Sequence, residues 1–113
     1  MALFLDKFQI NTEIQLDFIK IVKRIRITKH CEEQMQMRDI DRKDILKIIR
    51  NPIETVYDSE RDNYKSIGMG TNPPIKEQQY LLIVHNTLKN KIVVITSMWK
   101  GKGGLKIHGF SKI

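Results

Sequence analysis

The chain has a single cysteine, Cys31, so among its 113 residues no internal disulfide can form and no Cys-rich zinc site can be built. A reducing compartment fits that usage. No apolar run approaches the roughly 20 residues that cross a bilayer, and the start, Met1-Ala2-Leu3-Phe4-Leu5-Asp6, meets an acid too early for a secretory core. The expectation is a soluble, cytoplasmic protein without membrane partners. Phosphate-loop chemistry is missing as well, because Gly68-Met69-Gly70-Thr71-Asn72-Pro73-Pro74 lacks the Gly-Lys-Ser/Thr ending. Asp58, Glu60 and Asp62 alternate like the start of a calcium loop, but the glycine and distal glutamate are absent. They read as a charged turn, and neither metal nor cofactor is expected.

What the chain does have is 41% hydrophobic residues, enough for one domain with one core, and a formal net charge of +7. That charge suits RNA, DNA or an acidic protein.

Ile14, Phe18, Ile21 and Val22 recur at helical spacing after Asn11-Thr12 and predict an N-terminal helix over residues 12–23. Its apolar face could hold a partner or a second copy of the chain, giving a homodimer. Arg24-Ile25-Arg26-Ile27-Thr28 alternates charge with β-branched residues and predicts a short strand. Two helices follow, one over about 30–38 and one starting at Asp41, a capping carboxylate, with Ile45, Leu46, Ile48 and Ile49 as its apolar face. Asn51-Pro52 stops the second. The period then becomes two, which predicts strands over Glu54–Asp58, Asn63–Met69, Gln79–Asn86 and Lys91–Trp99. Tyr80–Val84 and Ile92–Ile95 are apolar on both faces and should be central. No helix remains after residue 51 to make crossovers, so the expected fold is α+β, with helices packed on one antiparallel sheet of about four to six strands. Gly101-Lys102-Gly103-Gly104 reads as a flexible break before an edge strand over 105–110. The whole is one domain over 1–113: an N-terminal extension over 1–23, a core over 24–100 and a tail over 101–113.

Two polar clusters carry the functional argument. His30, Gln34 and Arg38 fall at i, i+4 and i+8, on one face of a helix. Far downstream, Thr96-Ser97-Met98-Trp99-Lys100-Gly101-Lys102 ends an apolar strand, where side chains are commonly presented to a ligand. Metal-free RNA cleavage needs a base, an acid and cations around the phosphorane. His30 could serve as base or acid, Arg38 could clamp phosphate in a bidentate grip, and Lys100 with Lys102 could add charge. Arg61, Lys65 and Ser97 are further substrate-binding candidates, and Trp99 or Tyr64 could stack bases. Each also has a plain structural reading. A lone helix histidine is often a cap or a hydrogen-bonded fixture, an aromatic beside a central strand is often packing, and His85 reads as a core or edge histidine. His108 reads as solvated in a tail strand, and Cys31 as a buried thiol lying about 100° around the helix from His30.

Ile27-Thr28-Lys29-His30, with Glu33, Met35, Arg38, Ile40 and Ile45 through Asn51-Pro52, resembles the opening of a small family of uncharacterised domains related to RelE- and BrnT-type toxins. Arg61-Asp62-Asn63-Tyr64-Lys65-Ser66-Ile67-Gly68 and Ile92–Lys100 are similar to the Arg-x-x-x-x-Ile-Gly and Ile-x-Ser-Met-Arg stretches of the BrnT-like branch. The similarity spans about residues 24–100. It implies the barnase, colicin and RelE kind of fold and a toxin-like, metal-independent endoribonuclease acting on RNA, free or on the ribosome, through His30, Arg38 and Lys100. An acidic antitoxin-like protein would neutralise it. Gln34 stands where related sequences often have Arg, and Trp99 where the BrnT-like branch has Arg. Both departures remove a cation, which keeps two alternatives open: a catalytically inactive RNA-binding module and a protein-interaction module on the same fold.

Overall fold

The computed structural model describes residues 24–113, so the helix expected over 12–23 lies outside the described residues. The order is β1 (Arg24–Ile27), α1 (Lys29–Arg38), α2 (Arg42–Arg50), β2 (Glu54–Asp58), β3 (Asn63–Met69), β4 (Tyr80–Leu88), β5 (Lys91–Lys100) and α3 (Lys102–Ile107). The helix starts follow from capping. Thr28 accepts a hydrogen bond from the Cys31 backbone N–H, and the Asp41 carboxylate accepts one from Lys43, each satisfying a donor that the first helical turn leaves open.

One five-stranded sheet carries these elements in the order β1-β5-β4-β3-β2, with Tyr80–Leu88 and Lys91–Lys100 near its middle as their two-sided apolarity requires. The sheet is mixed and not purely antiparallel, because β1 pairs with β5 in parallel. The reason lies upstream of residue 51. The helical pair α1–α2 carries the chain from β1 over one face to the far edge, and the antiparallel run β2 to β5 brings it back beside β1. The helices between β1 and β2 thus supply the crossover that a search after residue 51 misses.

Alternation along the strands divides the interior in two. Leu81, Ile83, Val94 and Trp99 face α1 and α2, packing on Cys31, Met35, Ile45, Ile48 and Ile49. On the other face Ile67 and Leu82 pack on Leu105 and Phe110. Those last two correct the tail: residues 102–107 form a helix, not an edge strand after a flexible break. Burial of Leu105 and Phe110 outweighs the weak helix propensity of Gly103 and Gly104. Gly101 is a fixed point, since a Cβ there would stand 2.5 Å from the Glu77 carbonyl oxygen. No helix among the described residues is long and apolar enough to cross a membrane.

Candidate functional site

Helix α1 lies along β5, and side chains join the two at successive turns of the helix. At its start, Thr28 donates from its hydroxyl to the Ile95 carbonyl at 3.4 Å. One turn on, the Thr96 hydroxyl donates to Oε1 of Gln34. That bond orients the carboxamide so that its nitrogen reaches Nε2 of His30 at 3.0 Å. A carboxamide nitrogen only donates, so the His30 Nε2 lone pair accepts and the ring proton sits on Nδ1. The helix ends in a second tie. Arg38 donates to the Ser97 carbonyl at 2.6 Å, while the Trp99 indole N–H donates to the Arg38 carbonyl at 2.8 Å.

His30, Gln34 and Arg38 therefore line one edge as their spacing requires, with His30 and the neighbouring Lys29 exposed. Ser97 and Trp99 join this edge from the inside. Ser97 is fully buried and contributes its carbonyl, and Trp99 is 8% exposed with its ring against Leu81 and Gly70. Neither the Ser97 hydroxyl nor the Trp99 ring is open to a phosphate or a base. Cys31 lies beneath, its sulfur 3.6 Å from the Ser97 hydroxyl, and burial pushes its thiol up from the usual range. A buried, protonated thiol has no nucleophilic role here.

Lys100 does not join this edge. It follows Trp99 along β5, so it points to the opposite face, where its stem lies against Gly104 of α3. There it belongs to a second cluster with Lys65, Arg61 and His108, and Lys102 stands exposed at the start of α3. Lys65 lies 3.1 Å from Asp58 and 3.2 Å from Nδ1 of His108, and Arg61 lies 3.3 Å from Asp58. The Lys65 ammonium is the main reason the Asp58 carboxyl is held at about 2, with the Arg61 backbone N–H next. Burial, then the charges of Lys65, Lys100 and Arg61, push His108 below its ordinary value. The anticipated charged turn is real: Asp58 accepts from the backbone of Glu60 and Arg61, and Asp62 accepts from the Tyr57 hydroxyl at 2.6 Å.

Three features escaped the sequence. Thr96 orients Gln34, and a threonine on a strand carries no pattern that announces such a bond. His108 is a partner of Lys65 and not a solvated tail residue, which only the fold of α3 reveals. His85 sits 2.7 Å from the Ser66 hydroxyl, which in turn lies 2.7 Å from that of Thr55, and its other nitrogen is buried without a partner. Burial pushes this imidazole down to about 4. No curated protein and no solved structure matches the chain. A family model described as a domain of unknown function (DUF4258) matches residues 27–99, from the last residue of β1 to Trp99. That span holds the whole α1–β5 edge and excludes α3, and over it the chain belongs to the DUF4258 family.

Proposed function

We propose that this chain is an RNA-binding domain of RelE/BrnT-like descent, which grips the phosphate backbone along the α1–β5 edge. The observation that carries the reading is the placement of His30 and Lys100 on opposite faces of the sheet. Cleavage needs acid, base and cations around one phosphate, and the two groups best suited to share that work stand apart. Binding asks less. A net charge of +7, an exposed Lys29 and an exposed His30 imidazole are groups that hold phosphate oxygens. The edge also lies wholly within the family span.

The test is binding of a labelled single-stranded RNA at a series of salt concentrations. Affinity should fall as a power of salt, and Lys29→Ala should flatten the slope by about 0.7, the loss of one phosphate contact on a single strand. Affinity independent of salt would overturn the reading.

A metal-independent endoribonuclease is the second reading, and the Thr96–Gln34–His30 chain of hydrogen bonds favours it. Such a chain holds the imidazole in one tautomer, in which Nδ1–H would hydrogen-bond the phosphorane oxygens as charge builds on them. In chelator, with and without ribosomes, His30→Ala would then lower cleavage by roughly 10²–10⁴-fold. Equal cleavage by both proteins removes His30 from any mechanism.

A further inference from the structure

On the α1–α2 face of the sheet, beyond the reach of the helices, strand register sets three rings in a row. Tyr57 of β2 pairs with Tyr64 of β3, and Tyr64 pairs with His85 of β4. Ring centroids are 5.1 Å apart between the tyrosines and 6.0 Å between Tyr64 and His85, with the second pair nearly parallel at 19°. Helix α2 stops short of the row: its Ile48 sits over Gly68, four residues along β3 from Tyr64. Tyr57 is accordingly 53% exposed and Tyr64 39%. Both ends of the row are tied, the Tyr57 hydroxyl to Asp62 and the His85 ring to Ser66.

Beside it opens a groove of about 560 Å³, lined by Asp62, Tyr64, His85, Asn86 and Thr87. The groove is polar at its rim and aromatic along its wall, where Tyr64 and His85 contribute their rings. A flat, π-faced ligand with polar edges fits this chemistry; the groove's own charge is the Asp62 carboxylate, an acceptor for base N–H groups, and the attraction for a single-stranded nucleic acid comes from the +7 of the chain as a whole. We infer that the Tyr57–Tyr64–His85 row is a stacking platform for unpaired nucleobases, separate from the phosphate-gripping α1–β5 edge. The inference rests on the RNA-binding reading and adds to it that single strands are the ligand.

Stacking and phosphate contacts respond differently to salt, which makes the platform testable. Binding of an octameric oligoadenylate and of an RNA duplex of equal length is measured for wild type, Tyr64→Leu and Tyr64→Phe, with each variant's unfolding midpoint as the check on folding. Tyr64→Leu should weaken the single strand by on the order of tenfold at every salt concentration, leaving the salt slope and the duplex affinity unchanged. Tyr64→Phe should restore binding, since it keeps the π face. Equal single-strand binding by wild type and Tyr64→Leu overturns the platform while leaving RNA binding intact, and so does an equal loss on the duplex. Should wild type bind no RNA, the function fails, and adenosine 5′-monophosphate then tests the slot directly. Shifts in the His85 ring resonances that Tyr64→Leu abolishes uphold it, and their absence in wild type ends it.

Discussion

Gly70 and Trp99 meet so closely that a single methyl group should report on the anchor of α1. A Cβ at position 70 would fall inside the van der Waals envelope of the outer indole ring, with a Leu81 methyl 3.3 Å away on another side. Trp99 cannot retreat freely, because its N–H holds the Arg38 carbonyl at 2.8 Å. Gly70→Ala should therefore cost about 1–3 kcal/mol, the usual penalty for forcing atoms into a packed site. Trp99→Leu should itself cost about 2–4 kcal/mol, from the lost hydrogen bond and the volume left empty. In that background the added methyl has room, and its penalty should nearly vanish. Urea unfolding of the four proteins gives the coupling energy, expected at about 1–3 kcal/mol. If Gly70→Ala costs the same with Trp99 as with Leu at that position, the indole is not what the methyl strikes, and the anchoring of α1 through Trp99 is wrong.

His85 is held neutral in the fold at about 4, against an ordinary value of 6.5, so the unfolded chain binds the extra proton first as pH falls. Stability should be fully present above pH 6.5 and decline by about 3 kcal/mol toward pH 4. Urea titrations at stepped pH should show this decline, and His85→Gln should flatten it. Lys65→Met removes the cation nearest His108 and the main support of the Asp58 carboxylate, so both groups should titrate at higher pH by NMR. Unchanged curves would separate Lys65 from that cluster. Asp44 is buried and accepts from the Thr71 backbone at 2.9 Å and from its hydroxyl. Asp44→Ala should cost about 1–3 kcal/mol in urea unfolding and speed amide exchange at Thr71.

The strands were readable because their apolar residues recur at period two, and the helix pair because Asp41 and the row Ile45, Ile48 and Ile49 mark a start and a face. The parallel pairing of β1 was not, since register between strands more than sixty residues apart depends on how the helices cross the sheet. Leu105 and Phe110 allowed either strand or helix, and only the apolar surface of Ile67 and Leu82 beneath them decides. The site was half legible. Spacing alone set His30, Gln34 and Arg38 in line. Whether Lys100 joined them hung on strand parity, and its neighbour Trp99 turns inward. The sequence likewise gives no sign that Trp99 is a buried anchor while Tyr64 is the open ring.

The RNA-contact surface itself is the most direct test. Amide and side-chain NMR shifts recorded while a single-stranded RNA is titrated into the whole protein map where it lies. Saturating shifts are expected at Lys29, His30 and Gln34 along α1 and at Tyr57, Tyr64 and His85 across the sheet, with the α3 face silent. Shifts confined to Lys100, Lys102 and His108 on that opposite face, or none at all, would contradict that placement.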